Sequence, residues 1–173
     1  MRSPFPSVRR PFSSPGPRAL LAILLLVPFL FASCDIFDPP TFTQHLLGEM
    51  ARQGIAQGVV TNKLGTSARA LIRHFGWEDS LSLCLGEHDG YELKPSPDMI
   101  LAVAMQMGVA PRDLLFVGDS PFDREAGRRA GCPVILLTTG THQEKELAAL
   151  DPIAVVDSLW EVERWIRESG RVR

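Results

Sequence analysis

The sequence predicts an α/β protein, a parallel sheet with helices on its faces. Three observations predict it. From about Thr41 onward, short apolar runs rich in strand-formers alternate with stretches of helical periodicity. The connections between them are short, as in right-handed βαβ units. Polar residues gather just after the apolar runs, at the carboxyl ends of the predicted strands, where open α/β sheets bind ligands.

Length and charge bound the reading. The 173 residues are enough for one domain with its own core. A formal net charge of -2, with no basic stripe beyond the N-terminus, gives no electrostatic reason to expect a nucleic acid partner. Cys34, Cys84 and Cys132 are odd in number and widely spaced, which fits neither a disulfide framework nor a zinc site. Reduced thiols and a cytoplasmic core are the expectation.

Residues 1–39 differ in composition from the rest. Arg2, Arg9, Arg10 and Arg18 are scattered among Pro and Ser with no acid before Asp35, and an apolar run of 14 residues follows from Ala19 to Ala32. That run is too short to span a bilayer comfortably. It matches the basic and apolar regions of a secretory signal. Arg9-Arg10 with Phe12 is similar to a twin-arginine signal, and Leu30-Phe31-Ala32-Ser33-Cys34 to a lipoprotein cleavage box, which would export the chain or anchor it to a membrane through residues 1–34. An acid-free mixture of Pro, Arg, Ser and Leu is also what an upstream extension or a shifted reading frame encodes. All these readings stay open, and residues 1–39 are set apart as an extension from a core over 40–173.

The core elements follow in order. TFTQHLLGEMARQG predicts a helix of about three turns, with Thr41 or Thr43 as its cap and Gly54 as its stop. Ile55 to Val60 predicts a strand whose tip carries Thr61, Asn62 and Lys63. Ser67 to Phe75 predicts a helix and Leu81 to Leu85 a strand, followed by a polar loop to Leu93 with Glu87, Asp89 and Glu92. After Lys94-Pro95-Ser96-Pro97, a helix runs from Pro97 to Met107 and closes at Gly108. Leu114 to Gly118 predicts a buried strand, 123–130 a helix, 133–138 a strand, 153–156 a last strand and 158–168 a last helix. His45, His74, His88 and His142 lack ligand spacing and read as surface or partly buried structural residues, and Met99, Met105 and Met107 as core or gap-filling residues.

Candidate chemistry sits at three strand tips or loops. Asp119 and Asp123 follow the apolar strand, and two acids at one tip repel unless a hard cation such as magnesium sits between them. The same acids suit the first turn of the following helix, so alone they do not decide between a cap and a metal seat. Thr61 with Asn62 adds a hydroxyl and backbone amides, and Lys94 adds a point cation. Thr61 in isolation also reads as a turn residue, and Lys94 as a solvated lysine. Together they are the parts needed to hold a phosphate monoester, with a metal neutralising charge as the phosphoryl group moves.

GVVTNK at 58–63, KPSPDMI at 94–100 and FVGDSPFDREAGRRAGCPVILLTTG at 116–140 resemble, in order and spacing, the haloacid dehalogenase-like hydrolases of the phosphoglycolate phosphatase-like branch. The similarity runs from about Pro40 to Trp165. It implies a Rossmann-like three-layer sandwich and a magnesium-dependent phosphatase that is cytoplasmic by family. By the resemblance Thr61 binds phosphate, aided by the Asn62 amide, and Lys94 contacts phosphate and the nucleophile. Asp119 ligates magnesium, while Asp123 orients Lys94 or a metal-bound water.

The sequence departs from that family at its first motif, DxDx[TV], whose first aspartate attacks phosphate and whose second acts as acid and base. The nearest candidate nucleophile is Asp35, in Asp35-Ile36-Phe37-Asp38, where the second acid comes one residue late. Only 26 positions separate Asp35 from Thr61, which leaves no room for a cap domain and predicts an incomplete core without a cap. In this family the nucleophile strand lies between the strands ending at Thr61 and Asp119, and losing it would leave two costly unpaired edges. The run 20–33 is available as a surrogate strand, but its Leu and Ala content with few β-branched residues predicts a helix. Two functional expectations follow. One is a phosphatase acting on a small phosphorylated metabolite with Asp35 displaced; the other is a truncated, catalytically inactive relative that acts as a binding protein or has no function.

Overall fold

The computed structural model describes residues 22–25 and 40–169. In chain order it contains β1 (Ala22–Leu25), α1 (Pro40–Arg52), β2 (Gln57–Leu64), α2 (Gly65–His74), β3 (Leu83–Glu87), α3 (Asp98–Met107), β4 (Leu114–Gly118), α4 (Pro121–Ala130), β5 (Val134–Leu137), α5 (Glu144–Ala148), β6 (Ala154–Val156) and α6 (Leu159–Glu168). The strands form one parallel sheet in the order β3-β2-β1-β4-β5-β6.

Both faces of the sheet are buried, because every parallel connection returns across a face. β4 makes this visible through its period of two. Leu115 and Val117 join Leu47, Ile72, Ile135 and Ile166 in one core cluster. Leu114 and Phe116 join Val60, Met99, Leu136 and Leu147 in the other. Helices α1, α2 and α6 therefore cover one face, and α3, α4 and α5 cover the other. Three layers result, as the sequence predicted.

The helix expected over the run 20–33 is corrected at its described part. Ala22–Leu25 is a strand in the central slot, with Ile23 opposite Gln57 and Leu115, and Leu25 opposite Val59 and Val117. The reason is tertiary. Two flanking strands offer unpaired amides and carbonyls in the interior, and satisfying them outweighs the helix propensity of a Leu- and Ala-rich segment, which is worth only roughly tenths of a kcal/mol per residue. Residues 1–21 and 26–39, and with them Asp35 and the signal-like motifs, lie outside the described residues.

Smaller differences have local causes. β2 starts two residues later than predicted, because the Ile55 N–H closes the end of α1 on the Met50 carbonyl at 3.0 Å after Gly54 turns at φ 76°. α5 was not predicted, although Gln143 and Glu146 form a capping box that the sequence spells out. Met99 and Met107 are buried, but Met105 is 75% exposed rather than in the core. His45, His74 and His88 are exposed and His142 half-buried. Cys84 and Cys132 are buried free thiols, pushed up by burial to about 11 and about 12. Among the described residues no helix is long and apolar enough to cross a membrane.

Candidate active site

The site is built where β4 ends and α4 begins. Ser120 is the helix N-cap and Pro121 follows at the first helical position, where a missing N–H costs nothing. The Asp123 N–H donates to Ser120 Oγ at 3.3 Å, and the Ser120 N–H donates to Asp123 Oδ2 at 3.1 Å, which completes a capping box. The same Oδ2 accepts from the Asp119 N–H at 3.2 Å and from the Ser120 hydroxyl at 2.5 Å. Asp123 thus folds back under the strand end. Only glycine fits at 118, since a Cβ there would lie 2.6 Å from Asp123 Cγ.

The other oxygen of Asp123 receives a cation. Lys94 Nζ donates to Asp123 Oδ1 at 2.7 Å and to the Val60 carbonyl at 3.4 Å. Asp123 is 0% exposed and Lys94 6%. Burial pulls the Lys94 ammonium below its usual range, and Asp123 opposes that pull. Such a pair adds little net stability, because desolvation cancels most of the attraction. What it does is fix the ammonium at one point.

Asn62 fixes the same residue from the backbone side. Its Nδ2 donates to the Lys94 carbonyl at 2.9 Å, and its Oδ1 accepts from the Lys94 N–H at 2.8 Å. The side chain mimics a strand partner and ties the loop before Pro95 to the tip of β2. Next to it Thr61, 5% exposed, accepts the Lys63 N–H on its hydroxyl at 3.1 Å. The ladder between β2 and β3 shifts register between Val60 and Leu64, where these residues lie.

Asp119 is the carboxylate left open. Burial and then the neighbouring Asp123 charge push its carboxyl up to about 6, against the pull of Lys94. Gly140 lies against it, and a Cβ there would lie 2.5 Å from Asp119 Oδ2. A half-buried acid raised by a second acid gains from a hard cation, and one carboxylate completed by water and ligand oxygens suits magnesium. Asp123, with both oxygens already engaged, suits a positioning role. No third His, Cys, Asp or Glu joins them in a metal-binding group among the described residues.

Of the residues singled out from sequence, Asn62, Lys94, Asp123 and Asp119 form one connected group at the carboxyl end of β4, and Thr61 precedes Asn62 within β2, which runs on to Leu64 past the predicted strand end and shifts register against β3 here. Asp35 lies outside the described residues. Between the two tips stands β1, whose sequence AILL carries no carboxylate and whose end at Leu25 precedes Asp35 by ten positions. Sequence reasoning missed Ser120, Gly140 and the clamp made by the Asn62 side chain. The spacing Ser120-x-x-Asp123 was the available signal for the first. Nothing local signals the other two.

A parallel three-layer core with a buried lysine and two acids at its carboxyl edge is a Rossmann-like α/β architecture. Residues 37–137 match the family model of the haloacid dehalogenase-like hydrolases, and the chain belongs to that family. It is 35% identical over 113 residues to a phosphoglycolate phosphatase of Escherichia coli strain K12, covering 65% of this chain and 45% of that one. It is also 35% identical over 112 residues to the phosphoglycolate phosphatase of Salmonella paratyphi A, covering 65% and 44%. Among solved structures, a predicted phosphoglycolate phosphatase from Haemophilus somnus 129PT superposes with TM-score 0.66 at 30% identity, covering 73% of this chain and 56% of that one. A haloacid dehalogenase family hydrolase from Deinococcus radiodurans R1 shares the fold with TM-score 0.68 at 21% identity, covering 75% and 59%. The chain spans about half the length of the curated relatives it matches.

Proposed function

We propose that the chain is a magnesium-dependent phosphatase of the phosphoglycolate phosphatase type, acting on a small phosphorylated metabolite, with residues 40–173 as its hydrolase core. The observation that carries this reading is the buried Lys94, its ammonium held by Asp123 and the Val60 carbonyl and its backbone by the Asn62 side chain, next in sequence to Thr61. Lys94, the Thr61 hydroxyl and the Asn62 amide bind the nonbridging oxygens of a phosphate. Asp119 holds the metal, and Asp123 keeps Lys94 charged and in place. Magnesium, when bound, supplies neutralisation of the charge on the transferring phosphoryl group. Asp35 is the candidate nucleophile. The relatives at 35% identity that are named phosphoglycolate phosphatases support the reaction class.

One observation favours a second reading, a relative that binds phosphate esters without turning them over. The strand beside Thr61 and Asp119 is AILL, with no carboxylate to attack phosphorus. Hydrolysis of phosphoglycolate and of a chromogenic phosphate with magnesium separates the two, in the unaltered chain and in Asp35→Ala and Asp119→Asn. Turnover lost in both variants supports the phosphatase with Asp35 as nucleophile. Phosphate binding that is lost in Lys94→Ala, without turnover in any chain, supports the second reading. Absence of both turnover and phosphate binding overturns each.

A further inference from the structure

The loop from Thr138 to Gln143 leaves the carboxyl end of β5, the strand that flanks β4 on the side away from β1. Both of its ends are fixed. The Thr138 N–H donates to the Val156 carbonyl at 2.9 Å, and Gln143 with Glu146 forms the capping box of α5. Between these anchors the chain passes against Asp119, since a Cβ on Gly140 would lie 2.5 Å from Asp119 Oδ2 and 2.9 Å from its Cγ. His142, two residues further on, is half-buried. Burial and then Asp123 push the Asp119 carboxyl up, and His142 is among the groups that draw it down, so the imidazole stands within electrostatic reach of that carboxylate. Thr141 Oγ1 lies 3.4 Å from His142 Nδ1, and Nε2 makes no hydrogen bond among the described residues. With the threonine hydroxyl donating to Nδ1, the ring hydrogen stands on Nε2 as an unengaged donor.

We propose that His142 is a specificity-determining residue of this site, whose Nε2–H donates to an oxygen on the non-phosphate part of the substrate and so favours an ester that carries a carboxylate there. This rests on the phosphate site proposed above. The sheet order sets Asp119 between the β2 residues Thr61 and Asn62 on one side and the His142 loop on the other. On the Lys94 side the polar side chains are already engaged with one another. Asn62 holds the Lys94 backbone with both of its amide atoms, Asp123 uses one oxygen on Lys94 and the other on Ser120, and the Ser120 hydroxyl donates to Asp123. The imidazole on the β5 side has its outer nitrogen left for a ligand. An N–H donor that meets a carboxylate in a half-buried site contributes about tenfold in affinity. An alkyl ester, with no acceptor at its far end, gains nothing from it.

The test compares 2-phosphoglycolate with ethyl phosphate, which has the same two-carbon length and no acceptor at its far end. Binding is read by calorimetry in the presence of magnesium, and each ester is referred to inorganic phosphate in the same chain. The unaltered chain should bind 2-phosphoglycolate about tenfold more tightly than ethyl phosphate. In His142→Ala that ratio should fall toward one while inorganic phosphate affinity is kept. His142→Gln, whose side-chain amide presents an N–H near the position of Nε2, should recover most of the ratio. Equal binding of the two esters by the unaltered chain overturns the proposal, as does a ratio that survives His142→Ala or that His142→Gln does not recover. Loss of inorganic phosphate affinity in His142→Ala by the same factor as the esters makes the residue structural and overturns it too. Absence of saturable inorganic phosphate binding to the unaltered chain, measured first, overturns the phosphate site itself and this inference with it.

Discussion

At the scale of single residues, the site depends on charges held where water would otherwise take them. Lys94 and Asp123 are buried together, so removing one strands the other. Lys94→Ala should destabilise the fold by about 3–5 kcal/mol, read as a lower urea midpoint with unchanged slope. A loss below about 1 kcal/mol would mean that water reaches Asp123. Asp119 behaves in the opposite sense. Its carboxyl is raised to about 6 when folded, from 3.8, so the folded state binds the extra proton between these values. Stability from this group is present below about pH 4, falls as pH rises toward 6, and stays reduced above it. A cation on the ionised carboxylate reverses that loss. Added magnesium should therefore raise the melting temperature at pH 7.5, lose its effect by pH 5, and do nothing at either pH in Asp119→Asn. A magnesium shift that persists in Asp119→Asn would place the cation elsewhere. Thr61, Asp119 and Asp123 were legible in sequence because they stand at or just beyond apolar runs, and Lys94 because its Lys-Pro-Ser-Pro motif comes in order between the other two. The Asn62 clamp was not, since its partner is 32 positions away and hydrogen-bonded through backbone.

At the scale of elements, the turn from β4 into α4 joins helix capping to site geometry. Ser120 caps the helix and also donates its hydroxyl to the carboxylate that holds Lys94. Ser120→Ala should cost about 0.5–2 kcal/mol of stability, the usual loss of an N-cap. It also frees Asp123 Oδ2 from one donor, so magnesium-dependent phosphate affinity should fall along with stability. Ser120→Thr, which keeps the hydroxyl, should recover both. Affinity unchanged in Ser120→Ala would leave the serine as a cap alone. The elements themselves were mostly legible, because strands buried on both faces read as apolar runs and the helices carry Gly stops, as at Gly108 and Gly131 with φ 69° and 76°. α5 was too short at five residues for periodicity to show.

At the scale of the whole molecule, everything hangs on a four-residue strand. β2 with β3 lies on one side of β1, and β4 with β5 and β6 lies on the other. The two core clusters each draw residues from both sides, Val59 with Val117 on one face and Val60 with Phe116 on the other. No sequence pattern within AILL could reveal this, because four apolar residues suit a buried strand and a helix alike. The deciding information is the pair of open edges that the flanking strands present. Leu24 sits opposite Gly58 and Phe116, in the middle of the slot. Leu24→Pro removes an amide donor from a central ladder and leaves a buried carbonyl acceptor unmatched, at about 1–3 kcal/mol. Against a total stability of roughly 5–15 kcal/mol that loss should lower the urea midpoint measurably. Hydrogen exchange should locate it, with protection falling at amides of both β2 and β4 rather than on one side alone. Protection and midpoint identical to those of the unaltered chain would show that residues 22–25 do not join the two halves of the sheet.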